Sequence, residues 1–256
     1  MAYKHGVYVS EVPTSILPPV QVNAGIPMII GTAPVNMTDP TNVNKPKLCY
    51  SYEEAVKEFG FVPAEEDSSG LKKFNYSICE LIYSAFSLYR VAPIIVVNVL
   101  DPTTHKKNCT TSSVQFDAKT GIAKIAETGV LPDTLVLKAG EKTLTKDTDF
   151  VVSFDTDGTM ILSSLKNQDG DFLCSSDSPY TLTASKLDPS AVDADDIIGG
   201  VDISGNKSGL ELVDDVFPLF RVVPGTLIAP GFSSSPSVAA VMAALSSSLL
   251  KTRLRT

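Results

Sequence analysis

Apolar and polar positions change their spacing along this chain, and each change marks a different predicted element. Gly6–Val12 alternates apolar and polar residues with β-branched and aromatic types, the pattern of an extended strand. Pro13, Pro18 and Pro19 follow, and because they fix φ and withhold N–H donors they exclude a local hairpin for that strand. A buried strand is predicted at Ile26–Ile30, closed by Gly31–Pro34. Ser51-Tyr52-Glu53-Glu54 has the spacing of a capping box, and Ala55, Val56 and Phe59 form an apolar stripe that Gly60 ends. Leu71, Phe74, Ile78, Leu81, Ile82, Ala85, Phe86 and Tyr89 recur at three- and four-residue steps, which predicts a second helix with one buried face. Pro93–Leu100 is a nearly continuous apolar run, as in a parallel strand covered on both sides.

From Asp101 to about Pro189 the texture is different. Short alternating segments, among them Thr134–Lys138 and Phe150–Phe154, are separated by Gly, Asp and Pro. Asp155-Thr156-Asp157-Gly158 joins Phe150–Phe154 to Thr159–Ser163 as a hairpin. Helix and strand signals of the first kind then resume: a short helix over Leu210–Phe217, a buried strand at Thr226–Ala229, and a long helix from Pro236. Ser235 is placed to cap that helix, whose apolar face is Val238, Val241, Met242, Leu245 and Leu249. The predicted fold is an α/β core, a mostly parallel sheet with flanking helices, interrupted by an all-β inserted domain and preceded by an extended N-terminal arm. The expected boundaries are 1–25 for the arm, 26–101 and 192–256 for the discontinuous core, and 102–191 for the insertion.

Composition narrows the function. The 256 residues carry 29 Asp plus Glu against 21 Lys plus Arg, a net charge of −8, with the basic residues scattered. Phosphate backbones are repelled on average, so no direct nucleic-acid contact is expected. No apolar run follows Lys4 in the manner of a signal peptide. The uncharged span Val222–Leu250 holds seven serines, three prolines and two glycines, so it reads as strand, loop and helix rather than as a membrane insertion. Cys49, Cys79, Cys109 and Cys174 are widely spaced, which suits reduced, partly buried thiols better than a disulfide frame or zinc site.

Chemistry is nearly present in two places. Gly231–Ala240 echoes the nucleophile stretch of subtilisin-type proteases, but alignment of the prolines puts Phe232 at the nucleophile and Ser237 at the histidine. His5 and His105 stand in no matching context, so no catalytic residue is assigned. Gly200–Ser208 is one insertion away from a phosphate-binding loop, with Asn206 putting Lys207 out of step with Gly205. Asp188, Asp193, Asp195 and Asp196 lack the alternation of a calcium loop, and Asp147, Asp149, Asp155 and Asp157 suit β-turns. No cofactor or metal site is expected.

The leading segment has two readings: an edge strand of the chain's own sheet, or a strand donated to a neighbouring molecule. Gly6–Ser15 with Pro18–Val35, then Gly199-Gly200-Val201-Asp202, Gly209-Leu210 and Thr226–Ser233, resemble the contractile tail sheath proteins of myovirus-type phages, in the order and approximate separation of that family. The resemblance covers the N-terminal and central portion of a sheath subunit, and such subunits usually continue into a C-terminal domain, so the chain is expected to be C-terminally incomplete. It implies a structural, non-enzymatic subunit that polymerises with copies of itself, as stacked hexameric rings, around an inner tail tube above a baseplate. It also implies contraction that drives the tube through a cell envelope, residence in the virion tail, and assembly in the host bacterial cytoplasm. On that reading Val7, Tyr8 and Val9 add a strand to a neighbour, with Ile16 and Leu17 as anchors. A subtilisin-like hydrolase and a surface adhesion module are the alternatives; the absence of Trp gives the latter little to stack on sugars.

Overall fold

A computed structural model describes residues 25–66, 68–174 and 179–253. The arm positions Val7, Tyr8, Val9, Ile16 and Leu17 lie outside them. The first part contains β1 (Pro27–Gly31), β2 (Lys47–Cys49), α1 (Tyr52–Phe59), a small hairpin of β3 (Glu65–Glu66) and β4 (Lys72–Lys73), α2 (Ser77–Ile82) and β5 (Ile94–Asn98). Seven strands follow: β6 (Lys106–Val114), β7 (Ile122–Thr128), β8 (Val136–Ala139), β9 (Lys142–Leu144), β10 (Phe150–Phe154), β11 (Thr159–Ser164) and β12 (Tyr180–Leu187). The chain ends in α3 (Ala194–Ile198), α4 (Val213–Phe220), β13 (Thr226–Ile228) and α5 (Pro236–Arg253). The fold is therefore mixed α and β.

The sheet of the first and last parts has the order β13-β1-β5-β2. β1 runs parallel to both β13 and β5, while β2 is antiparallel to β5. Burial of β5 is complete from Ile94 to Asn98, as its continuous apolar sequence requires. Asn98 is the polar exception. Its Oδ1 accepts from the amides of Ala33 (3.0 Å) and Leu100 (3.1 Å) and its Nδ2 donates to the Leu100 carbonyl (3.1 Å), which locks the C-terminal ends of β1 and β5 together.

The helices follow their signals unevenly. Ser51 caps α1 by accepting from the Glu54 amide, but the Glu54 carboxylate reaches back to the Tyr50 amide (2.7 Å) rather than to that of Ser51. The helix expected from Leu71 begins at Ser77, because Lys72–Lys73 pairs with Glu65–Glu66 instead. After Ile82 the backbone widens into a π-helical stretch, Tyr83–Leu88. That wider turn rotates the apolar stripe out of phase, so Tyr89, expected on the buried face, is 75% exposed. Leu71 is exposed as well. The helix expected over Leu210–Phe217 is a 3-10 turn at Gly209–Leu212 followed by α4, and β13 is a half-exposed edge rather than a buried strand. In α5, Val238 is buried and Val241, Met242, Leu245 and Leu249 pack on the core as their spacing predicts.

The seven strands β6–β12 form two sheets, β10-β11-β7 and β6-β12-β8-β9, which share one apolar cluster built from Phe150, Met160, Leu162, Leu137, Leu182 and their neighbours. Alternation is clear in β11 and β12, where every second residue is buried along most of each strand. The β10–β11 hairpin turns through Asp155–Gly158, and Gly158 (φ +85°) lets the turn pass Val62, whose Cγ2 lies 2.6 Å from where a Cβ would stand.

Candidate assembly surfaces

The enzyme-like stretches are occupied by structure. Ser233 donates its hydroxyl hydrogen to the Ala229 carbonyl (2.7 Å), closing the turn after β13. His105, the single histidine among the described residues, accepts at Nδ1 from the Asp101 amide (3.1 Å). That leaves its N–H on Nε2, which faces Asp196 Oδ2 at 3.3 Å. The same Asp196 oxygen accepts from the Asp193 amide to complete a capping box on α3.

This histidine belongs to a junction. Lys107 pairs with Asp188 at 3.1 Å, the Asp188 amide donates to the His105 carbonyl (2.9 Å), and β6 pairs with β12 from Lys106↔Leu187 upward. The Ser190 hydroxyl and Lys107 hold the Asp188 carboxyl below its ordinary range. Entry and exit of the β-rich stretch are thus tied side by side.

The loop Gly199–Gly209 carries one of the motifs of the resemblance, and its chemistry is that of a rigid turn. The Asp202 carboxylate accepts from the amides of Ser204 and Asn206 and from the Asn206 side chain, which holds its pKa down. An anion cannot use those amides, and Lys207 is committed to Asp215 at 2.6 Å, so no phosphate cradle exists here. Gly199 and Gly209 are required because a Cβ on either would overlap the backbone of the other side of the loop base. The turn displays Val201 and Ile203 to solvent.

Among the described residues no group of three or more His, Cys, Asp or Glu is arranged to hold a metal ion, and no helix is long and apolar enough to cross a membrane. The four cysteines are buried and unpaired; burial pushes the thiols of Cys49 and Cys79 up to about 12.

Surface apolarity is what remains distinctive. In the β-rich stretch only Ile122, Val136 and Leu173 stand out among the described large apolar side chains, each under 40% exposed. The α/β part exposes Val201 and Ile203, Phe217 and Leu219 on α4, and a run at the end of the π-helical stretch, Leu88 (56%), Tyr89 (75%) and Val91 (40%). Sequence periodicity missed that run, since Tyr89 falls on the buried stripe when an ideal helix is assumed; the nearby Arg90-Val91-Ala92-Pro93, which cannot continue a helix, was the available signal. Both outer strands of the four-stranded sheet, β13 and β2, lack a second strand partner among the described residues.

No family model matches the chain. It is similar to the tail sheath protein of Burkholderia phage BcepMu, with 29% identity over 248 residues, which covers 95% of this chain and 46% of that protein. The chain therefore spans about half the length of the curated relative it matches. This supports the resemblance to tail sheath proteins carried by the motifs at Gly6–Val35, Gly199–Leu210 and Thr226–Ser233.

Proposed function

We propose that this chain is the N-terminal and central portion of a structural subunit of a contractile phage tail sheath. The observation that carries the reading is the match along nearly its whole length to a sheath protein. Supporting it is the unfinished apolar surface of the α/β part, of the kind that marks contacts between molecules. In this reading copies of the subunit stack as hexameric rings around an inner tube, above a baseplate, in the virion tail, after assembly in the bacterial cytoplasm. Residues 26–101 and 192–256 act as the α/β body, and 102–191 as an inserted β domain whose first and last strands, β6 and β12, pair side by side. The body moves as a unit during contraction while arms keep neighbours tethered through backbone hydrogen bonds.

The arm is the part of this reading most open to experiment. Val7, Tyr8 and Val9 add a strand to a neighbouring subunit, and Ile16 and Leu17 anchor it. Deletion of residues 1–20 is expected to leave a folded monomer that no longer polymerises, read by sedimentation and negative-stain microscopy. Polymers indistinguishable from those of the intact chain would overturn the arm.

A further inference from the structure

We propose that the turn Val201–Ser204 of one copy of this chain plugs a cavity at the seam between the α/β part and the β-rich stretch of a second copy, with Ile203 as the plug. The choice of a second copy as partner rests on the sheath reading; the residues that meet come from the structure.

The plug is bare and held in place. Ile203 is fully exposed and Val201 is 59% exposed. The turn that carries them cannot fold over to hide them, because the Asp202 carboxylate accepts from the amides of Ser204 and Asn206 and the Asp202 amide donates to the Asn206 carbonyl (2.9 Å). At the base of the loop the Gly209 amide donates to Asn44 Oδ1 (3.0 Å), which ties it to the α/β part. An apolar side chain on a fixed turn leaves little ordering cost to binding.

The socket is a cavity of about 530 Å³, a size suited to enclosing a small group of atoms. Met37, Pro40 and Pro102 wall it from the α/β part, and Leu131, Val152 and Phe154 from the β-rich stretch. Asn36 lines it too and is 4% exposed; its Nδ2 donates to the Val130 carbonyl (3.1 Å), while its Oδ1 has no hydrogen-bond partner among the described residues. Apolar walls with one unmatched acceptor favour a visitor that brings backbone as well as an apolar side chain, as a turn does.

Charge selects the pairing. The charged residues that line the socket are Lys106, Lys146 and Asp133, a positive balance in a chain whose net charge is −8. Around the plug the balance is reversed: Lys207 pairs with Asp215 at 2.6 Å and is also favoured in its charged form by Asp214 and Glu211, and Asp202 stands in the turn itself. Opposite signs steer these two surfaces together where most others on two such chains repel. Plug and socket share no residue, so the contact is head-to-tail and repeats into a ring or a helix rather than closing as a two-fold dimer.

The test is cross-linking between two variants of the 256-residue chain. A mixture of Ile203→Cys with Pro40→Cys, oxidised under mild conditions, is expected to form mixed disulfide dimers at least about tenfold faster than Ile203→Cys with Tyr50→Cys. Tyr50 is an equally accessible control, because it is 62% exposed and follows the Cys49↔Ile94 pair at the opposite end of β5 from the socket. The native cysteines are buried and do not compete. Equal rates for the two mixtures would overturn the proposal. Adding Lys106→Glu to the socket chain should slow the mixed bond about tenfold, and Asp214→Lys in the plug chain should restore most of it; a rate that ignores both changes also overturns the pairing. Deletion of residues 1–20 separates this contact from the arm. If that deletion abolishes polymers while the mixed bond forms at its full rate, both stand; if the intact chain polymerises but the mixed bond forms only at the control rate, the plug fails and the sheath reading is untouched.

Discussion

The β-rich stretch 106–187 and the α/β part that flanks it bury their cores equally well but finish their surfaces differently. In β12 the alternation sends Thr181 and Thr183 outward, and turns are closed by aspartates that accept from nearby amides: Asp117 from Lys119 and Thr120, Asp155 from Thr156, Asp157 from Thr159. Among its described large apolar side chains, none is more than 40% exposed. The α/β part instead leaves apolar side chains on a π-helical end, a rigid loop and a helix. A surface that is closed needs no partner, whereas a surface that keeps Tyr89 and Ile203 in water carries a standing cost that contact would remove.

Asn98→Ala should have the largest effect on this comparison. It leaves the buried amides of Ala33 and Leu100 without an acceptor, at about 1–3 kcal/mol each, and should lower the melting of the α/β part by several degrees or more. Leu162→Ala opens a cavity in the other cluster at about 3 kcal/mol. If the two clusters unfold as separate units, calorimetry of each variant moves one transition and leaves the other in place; a single transition shifted by both would merge the regions into one cooperative body. Gly158→Ala is smaller, about 2 kcal/mol, and acts across the boundary, because the added Cβ meets Val62 and the φ of +85° is strained for alanine. It should therefore lower both transitions, and a change in only one would show that the Val62 contact couples nothing.

Acid gives the smallest effect. Amide donors hold the carboxyls of Asp117, Asp155 and Asp157 below their ordinary 3.8. Stability from such groups is fully present above the unfolded value and is lost as pH falls through the lower folded one. Urea midpoints should decline as pH is taken below about 4, and Asp117→Asn should flatten that decline. A midpoint that rises on acidification would contradict these turn contacts.

Much of the local structure was legible. The Ser51 cap with Gly60 at the far end defined α1, the continuous apolar run defined β5, and Asp157-Gly158 between alternating runs marked the β10–β11 hairpin. Residues 71–89 were not legible in the same way. Their three- and four-residue spacing fits an ideal helix throughout, but β3–β4 pairing takes Lys72 and Lys73, and the π-helical widening after Ile82 turns Tyr89 outward. Of the candidate surface, the sequence marked the loop Gly199–Gly209 and the arm by resemblance, while the periodicity set Tyr89 on the buried face and only the helix-ending Arg90-Val91-Ala92-Pro93 hinted otherwise.

Spacing, capping and turn residues act between neighbours along the chain, so the sequence by itself determined the elements and the change of texture near residues 101 and 189. Contacts between distant residues were decided by tertiary structure alone: the sheet order β13-β1-β5-β2, the clamp of Asp101, His105 and Asp196, and the Asn98 bond to Ala33. No local rule carries them, because each depends on which surfaces remain to be buried once the local elements have formed.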